Sequence, residues 1–145
     1  MFVENLKETL KLGEKLSQKL NQQSIVLLQG PIGAGKTSFV QGIANGLSIS
    51  EDITSPTFAL SHHYNSGKIP LIHLDLYRLE NLSSAKEFFY HEEEEALQKK
   101  AILVIEWPEL IEPLIDNFWR VEISYAKQYG RHYEIRDPKN LLAFS

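Results

Sequence analysis

Cysteine is absent from this chain of 145 residues. Disulfides, thiolate nucleophiles and zinc–cysteine sites are thereby excluded. Arginine is scarce, occurring only as Arg78, Arg120, Arg131 and Arg136. The net charge is −4, so no overall basic field favours a long nucleic-acid duplex. DNA is not expected as a ligand, and any RNA contact is expected to be local or indirect. No apolar run approaches the ~20 residues that a membrane helix needs. Residues 1–7 include Glu4 and lack the apolar core of a signal peptide. The expectation is a soluble, cytoplasmic protein without membrane contact. The length suits one domain over residues 1–145, and the 43% hydrophobic content suits an ordinary globular core.

What is present is concentrated in one stretch. Gly30-Pro31-Ile32-Gly33-Ala34-Gly35-Lys36-Thr37 fits the phosphate-binding loop pattern of two glycines flanking four residues, then Lys and Thr. Glycines let the backbone curl so that successive N–H groups point at phosphate oxygens. A helix that follows presents its partly positive N-terminus to the same oxygens. Lys36 would reach the outer phosphates, and the Thr37 hydroxyl would sit on Mg²⁺. Residues 24–29 read as a buried strand before the loop and 36–47 as a helix after it. This is the context the motif requires.

Further elements follow from periodicity. Residues 4–20 read as an amphipathic helix with Leu6, Leu10, Gly13, Leu16 and Leu20 near one face. Phe58, Leu60, His62 and Tyr64 alternate as in a strand, and residues 69–75 form its hairpin partner across the Asn65-Ser66-Gly67-Lys68 turn. Ser84 and Glu87 fit a capping box that opens a helix. Glu92 to Glu95 are expected to form a solvated acidic patch. Residues 101–105 form an apolar run, which suits a parallel strand buried on both faces. Strands are expected over 119–125 and 132–136, with 138–145 a tail. The fold class is α/β: a small three-layer sandwich of the P-loop NTPase type, mostly parallel, with antiparallel edge strands.

A phosphate loop turns nucleotide over only with an acid at a strand end to hold Mg²⁺ or its waters. Asp75 and Glu106 each follow apolar strand residues, and strand ends line the ligand crevice of open parallel sheets. Each acid alone also fits a solvated loop start. Ser55-Pro56-Thr57 reads as a Pro-stiffened turn or as a switch whose threonine reaches Mg²⁺ or the γ-phosphate. Trp107 either seals a core edge or covers the site.

These residues together resemble the TsaE (formerly YjeE) family, the small ATPase of tRNA threonylcarbamoyladenosine biosynthesis. The resemblance rests on residues 30–37, Ser55-Pro56-Thr57-Phe58, His73-Leu74-Asp75-Leu76-Tyr77-Arg78-Leu79 and Ile105-Glu106-Trp107-Pro108, in the family's order and spacing. It implies Mg-dependent ATP hydrolysis supporting the TsaB and TsaD proteins, with tRNA reached only through that complex. It implies that Ile32, Gly33, Ala34, Gly35, Lys36, Thr37 and Ser38 bind nucleotide and that Glu106 and Thr37 hold the metal. Lys36, Asp75 and Glu106 would be catalytic. Thr57 would belong to a switch loop, Trp107 would lie beside the site, and Gly130 would approach the base or ribose. The chain departs from the family at Pro31, where Asp is common, at Ser38 for Thr, at Phe58 for Tyr, and after Leu79. A small P-loop kinase stays open as an alternative, although no Arg-rich lid is evident. No Asn-Lys-x-Asp segment for guanine occurs.

Overall fold

A computed structural model describes residues 1–144 of the protein. The strands are β1 (Phe2–Val3), β2 (Ile25–Gln29), β3 (Ser61–Tyr64), β4 (Leu71–Asp75), β5 (Ile102–Glu106), β6 (Trp119–Tyr125) and β7 (Arg131–Arg136). The helices are α1 (Leu6–Ser17), α2 (Lys36–Gly46) and α3 (Leu82–Lys99), with a 3₁₀ turn at Glu112–Leu114. One sheet contains every strand, in the order β1-β7-β6-β2-β5-β4-β3. The central four pair in parallel, and the pairings β3–β4, β6–β7 and β1–β7 are antiparallel. The expected α/β sandwich with antiparallel edges is therefore what forms.

Strand β5 is buried along its whole length because it is flanked by β2 and β4 and covered on both faces. Val26, Leu28 and Val104 face the core built on α1 and α2, which includes Leu16, Phe39, Val40 and Ile43. Leu27, Ile72, Leu103 and Ile105 face Phe89 of α3 and Ile111. These are the two outer layers.

Helix α1 and helix α2 cross where their backbones touch. A Cβ on Gly13 would lie 2.5 Å from the Phe39 carbonyl oxygen and 2.8 Å from the Ile43 nitrogen. One on Gly42 would strike the Leu10 carbonyl oxygen and come within 3.0 Å of the Gly13 Cα. Gly46, the last residue of α2, has a similar reason: a Cβ there would strike the Ser17 hydroxyl.

Several expectations are corrected. Helix α3 is opened by Asn81, whose Oδ1 accepts from the N–H groups of Ser83 at 2.7 Å and Ser84 at 3.3 Å. Ser84 is already helical, and the short Asn side chain three residues earlier makes the cap. The strand expected from Phe58 starts only at Ser61. Leu60 donates its N–H to the Pro56 carbonyl at 2.6 Å, and that turn leaves Phe58 exposed. Glu92 is not part of a solvated patch. It shares the inward face of α3 with Phe89 and Ala96, where His63 Nε2 lies 3.3 Å from Oε1 and His91 Nδ1 3.5 Å from Oε2. Lys99 donates in turn to His63 Nδ1 at 2.8 Å.

The expected tail over 138–144 folds back instead, and Ser145 lies outside the described residues. Asp137 Oδ1 accepts from the N–H of Lys139 and Leu141, Leu142 bridges to Arg136, and Phe144 packs against the larger core. Strand β1, with two residues, carries too little pattern for its sequence to announce it.

The helix crossing yields a stability prediction. Gly42→Ala should destabilise the protein by about 1–3 kcal/mol, the usual cost of overpacking a close contact. Urea denaturation would measure it, and an unchanged midpoint would mean the helices separate without strain.

Candidate phosphate-binding site

Three neighbouring strands deliver the site. In the parallel register Asp75 stands opposite Glu106, and Glu106 opposite Leu28, two residues before the glycine loop. The C-terminal ends of β4, β5 and β2 thus open onto one cleft of about 390 Å³. That is within the range of small-ligand pockets. Ile32, Gly33, Gly35, Lys36, Thr37, Ser38, Thr57, Asp75, Glu106 and Trp107 line it. Ala34 and Gly130 do not. They line a second cleft with Asn5, Thr9 and Arg131, and Gly33, Gly35 and Ser38 border both.

The loop has the conformation its glycines permit. Gly33 and Gly35 sit at φ +81° and +103°, in the left-handed region where a Cβ is costly. Gly35 is the N-cap of α2, so the first free N–H groups of that helix open into the cleft. From outside, Tyr125 donates its hydroxyl to the Ile32 carbonyl at 2.9 Å. Arg131 donates from Nε to Ala34 O at 3.2 Å and from Nη2 to Gly33 O at 3.4 Å. The Arg131 guanidinium also stacks on the Tyr125 ring, 4.4 Å from its centroid. Three consecutive carbonyls are thereby held outward. Tyr125 carries no signal in the sequence beyond strand alternation.

Lys36 lies across the mouth of its own loop. Its Nζ donates to the carbonyls of Gly30 at 2.6 Å and Pro31 at 3.0 Å and sits 4.7 Å over the Trp107 ring. Pro31 has no N–H to offer, but its carbonyl serves both Lys36 and the Ala34 amide. Among the described residues no carboxylate oxygen lies within 4 Å of Nζ. Burial lowers the Lys36 pKa from the ordinary lysine value, partly offset by the fields of Glu106, Asp75 and Glu109.

The two acids are buried and differently engaged. Asp75 accepts from the Thr57 hydroxyl at 2.8 Å on Oδ2 and from the Tyr77 N–H at 2.9 Å on Oδ1. The Ser55 hydroxyl is 2.7 Å from the Thr57 hydroxyl, so residues 55–57 are tied to the end of β4. Glu106 meets the imidazole of His73 instead, with Oε2 2.5 Å from Nε2. Trp107, at φ +56°, packs against Tyr77 with ring centroids 4.8 Å apart. It therefore both covers Lys36 and closes an edge of the α3-side core. Sequence reasoning gives His73 no role at the site. A histidine inside an otherwise apolar strand, two residues before Asp75, is the available signal.

A glycine loop between a parallel strand and a helix, facing strand-end acids, defines a P-loop NTPase-like α/β protein. Comparison with known proteins narrows this. The sequence model of the family described as "Threonylcarbamoyl adenosine biosynthesis protein TsaE" matches residues 3–133. The tRNA threonylcarbamoyladenosine biosynthesis protein TsaE of Nostoc sp. PCC 7120 is 42% identical over 137 residues, 93% of this chain and 83% of that one. The TsaE protein of Bacillus subtilis is 34% identical over 111 residues, 74% of this chain and 65% of its own. The crystal structure of Bacillus subtilis YdiB superposes with a TM-score of 0.71 at 28% identity, over 92% of this chain and 80% of that one. The chain belongs to the TsaE family of tRNA threonylcarbamoyladenosine biosynthesis.

The hydroxyl bridge to Asp75 is open to a direct check. Thr57→Val should keep the fold but speed amide hydrogen exchange across residues 54–60, by roughly tenfold for one lost bond to a charged group. Unaltered exchange would assign the order of that segment to the Pro56 turn alone.

Proposed function

We propose that the protein binds ATP with Mg²⁺ and hydrolyses it, in support of the TsaB and TsaD proteins that form threonylcarbamoyladenosine in the tRNA anticodon loop. The observation that carries this reading is Lys36, a buried ammonium without a carboxylate partner at the mouth of the glycine cradle. A cation so placed gains most from an arriving polyanion.

The residues present fit the groups invoked. The N–H groups of Ile32, Gly33 and residues 35–38, which line the cleft, bind the phosphates at the start of α2, while the Ala34 amide stays on the Pro31 carbonyl. Lys36 exchanges its loop carbonyls for outer phosphate oxygens. The Thr37 hydroxyl and the Glu106 carboxylate would hold Mg²⁺ directly or through its waters. Bound Mg²⁺ supplies neutralisation of the charge that develops on the phosphoryl oxygens. Asp75 holds Thr57 at the cleft, which joins the 55–57 segment to the state of the nucleotide. Trp107 covers Lys36 and limits water around it. The second cleft, with Gly130 and Asn5, is the place for the base and ribose. Partner contact through TsaB and TsaD rests on the family, and tRNA is reached through that assembly. No helix among the described residues is long and apolar enough to cross a membrane.

The test is ATP hydrolysis by the purified chain, alone and with cognate TsaB, TsaD and tRNA. Slow hydrolysis that rises with the partners supports the reading. Rapid hydrolysis indifferent to them, or phosphate transfer to a metabolite, would replace it with a kinase-type activity. Lys36→Ala should weaken triphosphate binding about 10–100-fold, as expected for loss of a charge-assisted contact. Glu106→Ala should fold normally and lose most turnover; wild-type turnover would move the metal role to Asp75. Trp107 fluorescence should change on saturation with Mg-ATP, since the indole rests on Lys36.

A further inference from the structure

His73 is a fully buried titratable side chain whose role the nucleotide reading leaves open. It sits on β4, on the face shared with Leu71 and Asp75, opposite Val104 of β5. An aliphatic side chain would suit these apolar surroundings. Instead the imidazole makes one hydrogen bond, from Nε2 to Glu106 Oε2 at 2.5 Å, and its Nδ1 is buried without a partner. A buried ring nitrogen left unpaired is a cost the fold would shed if packing alone mattered.

We propose that His73 is a positioning residue for Glu106. It holds Oε2 of the strand-end carboxylate so that Oε1 is presented to the metal and its waters; this rests on the nucleotide reading above. The arrangement follows from register. His73 is the diagonal neighbour of Glu106 across the parallel pair, so its ring reaches the carboxylate from within the sheet. A free Glu side chain has three rotatable bonds, and anchoring one oxygen removes most of that freedom before ligand arrives. The same bond settles the ring: Nε2 carries the hydrogen and Nδ1 a lone pair, because an Nδ1–H here would have no acceptor. Asp75 needs no such device, since Thr57 and the Tyr77 amide already hold both its oxygens.

Two measurements test this. Ring ¹⁵N spectra of the nucleotide-free full chain should show His73 as the Nε2–H tautomer; an Nδ1–H tautomer would overturn the proposal without reference to activity. Three variants then separate positioning from packing. In His73→Gln the amide nitrogen occupies the place of Nε2, whereas the shorter His73→Asn cannot reach Glu106 and His73→Leu fills the space without a donor. Leu and Asn should lower kcat for ATP about 10–100-fold and raise the Mg²⁺ needed for half-saturation, with ATP affinity in excess Mg²⁺ unchanged, and Gln should restore most of both. A Leu variant as active as wild type, or equal losses in Leu and Gln, would overturn the role. If the Asn variant does not fold, the Leu–Gln pair decides. Glu106→Ala separates the two ideas. Wild-type turnover there removes the nucleotide role of Glu106 itself, while an inactive Glu106→Ala beside a fully active His73→Leu removes only the role of His73.

Discussion

Parallel pairing of β5 with both β2 and β4 is the constraint on which the site depends. Parallel neighbours end on the same side of a sheet, so one register places Asp75, Glu106 and the start of the glycine loop along a single edge. No side-chain contact could substitute for this. Slipping β5 by one residue would turn Glu106 to the opposite face and bring Ile105 toward the cleft. The apolar interior of β5, buried on both faces, resists that slip because it would disturb two cores at once.

The glycine loop is secured from behind as well as from its ends. Tyr125 and Arg131 belong to the β6–β7 hairpin, yet they hold the carbonyls of residues 32–34. With these oxygens held, the loop keeps one backbone course, in which the Ala34 N–H turns back to the Pro31 carbonyl. Lys36 is held differently, by side-chain contacts alone. Its ammonium is parked on two loop carbonyls and an indole face, contacts that can be exchanged for stronger ones without moving the backbone. In the proposed reading the fixed cradle would supply shape and Lys36 would supply charge.

Much of this is legible in the order of the residues. The loop is spelled out by residue type and spacing, and β5 by an apolar run. Asp75 and Glu106 stand out because an acid directly after such a run falls at a strand end. Sequence patterns mislead where local chemistry has competing outcomes. Ser84 and Asn81 both suit a helix start, and Asn81, whose Oδ1 accepts from the N–H groups of Ser83 and Ser84, takes it. Phe58 keeps the alternation of a strand but loses its place to the Pro56 turn. Glu92 looks like its exposed neighbours because a run of four glutamates hides which one the helix turns inward. His63, which meets it, and Lys99, which meets His63, lie outside that run. Long-range pairings such as Tyr125 with Ile32, or His73 with Glu106, cannot be read from local pattern, although a histidine in an apolar strand marks His73 itself.

The glycine crossing of α1 and α2 reaches beyond stability. Helix α2 begins at the phosphate loop, and α1 begins beside Asn5, on the wall of the second cleft. Because the two helices meet backbone to backbone at Gly13 and Gly42, their axes cannot slide apart or together without breaking main-chain contacts. The crossing thus acts as a calliper. The width of the second cleft, between Asn5 and Thr9 on one wall and Gly35 and Ser38 on the other, is thereby a property of the main chain. Side-chain changes along that cleft can alter its lining, but its width is set elsewhere, at a seam outside it.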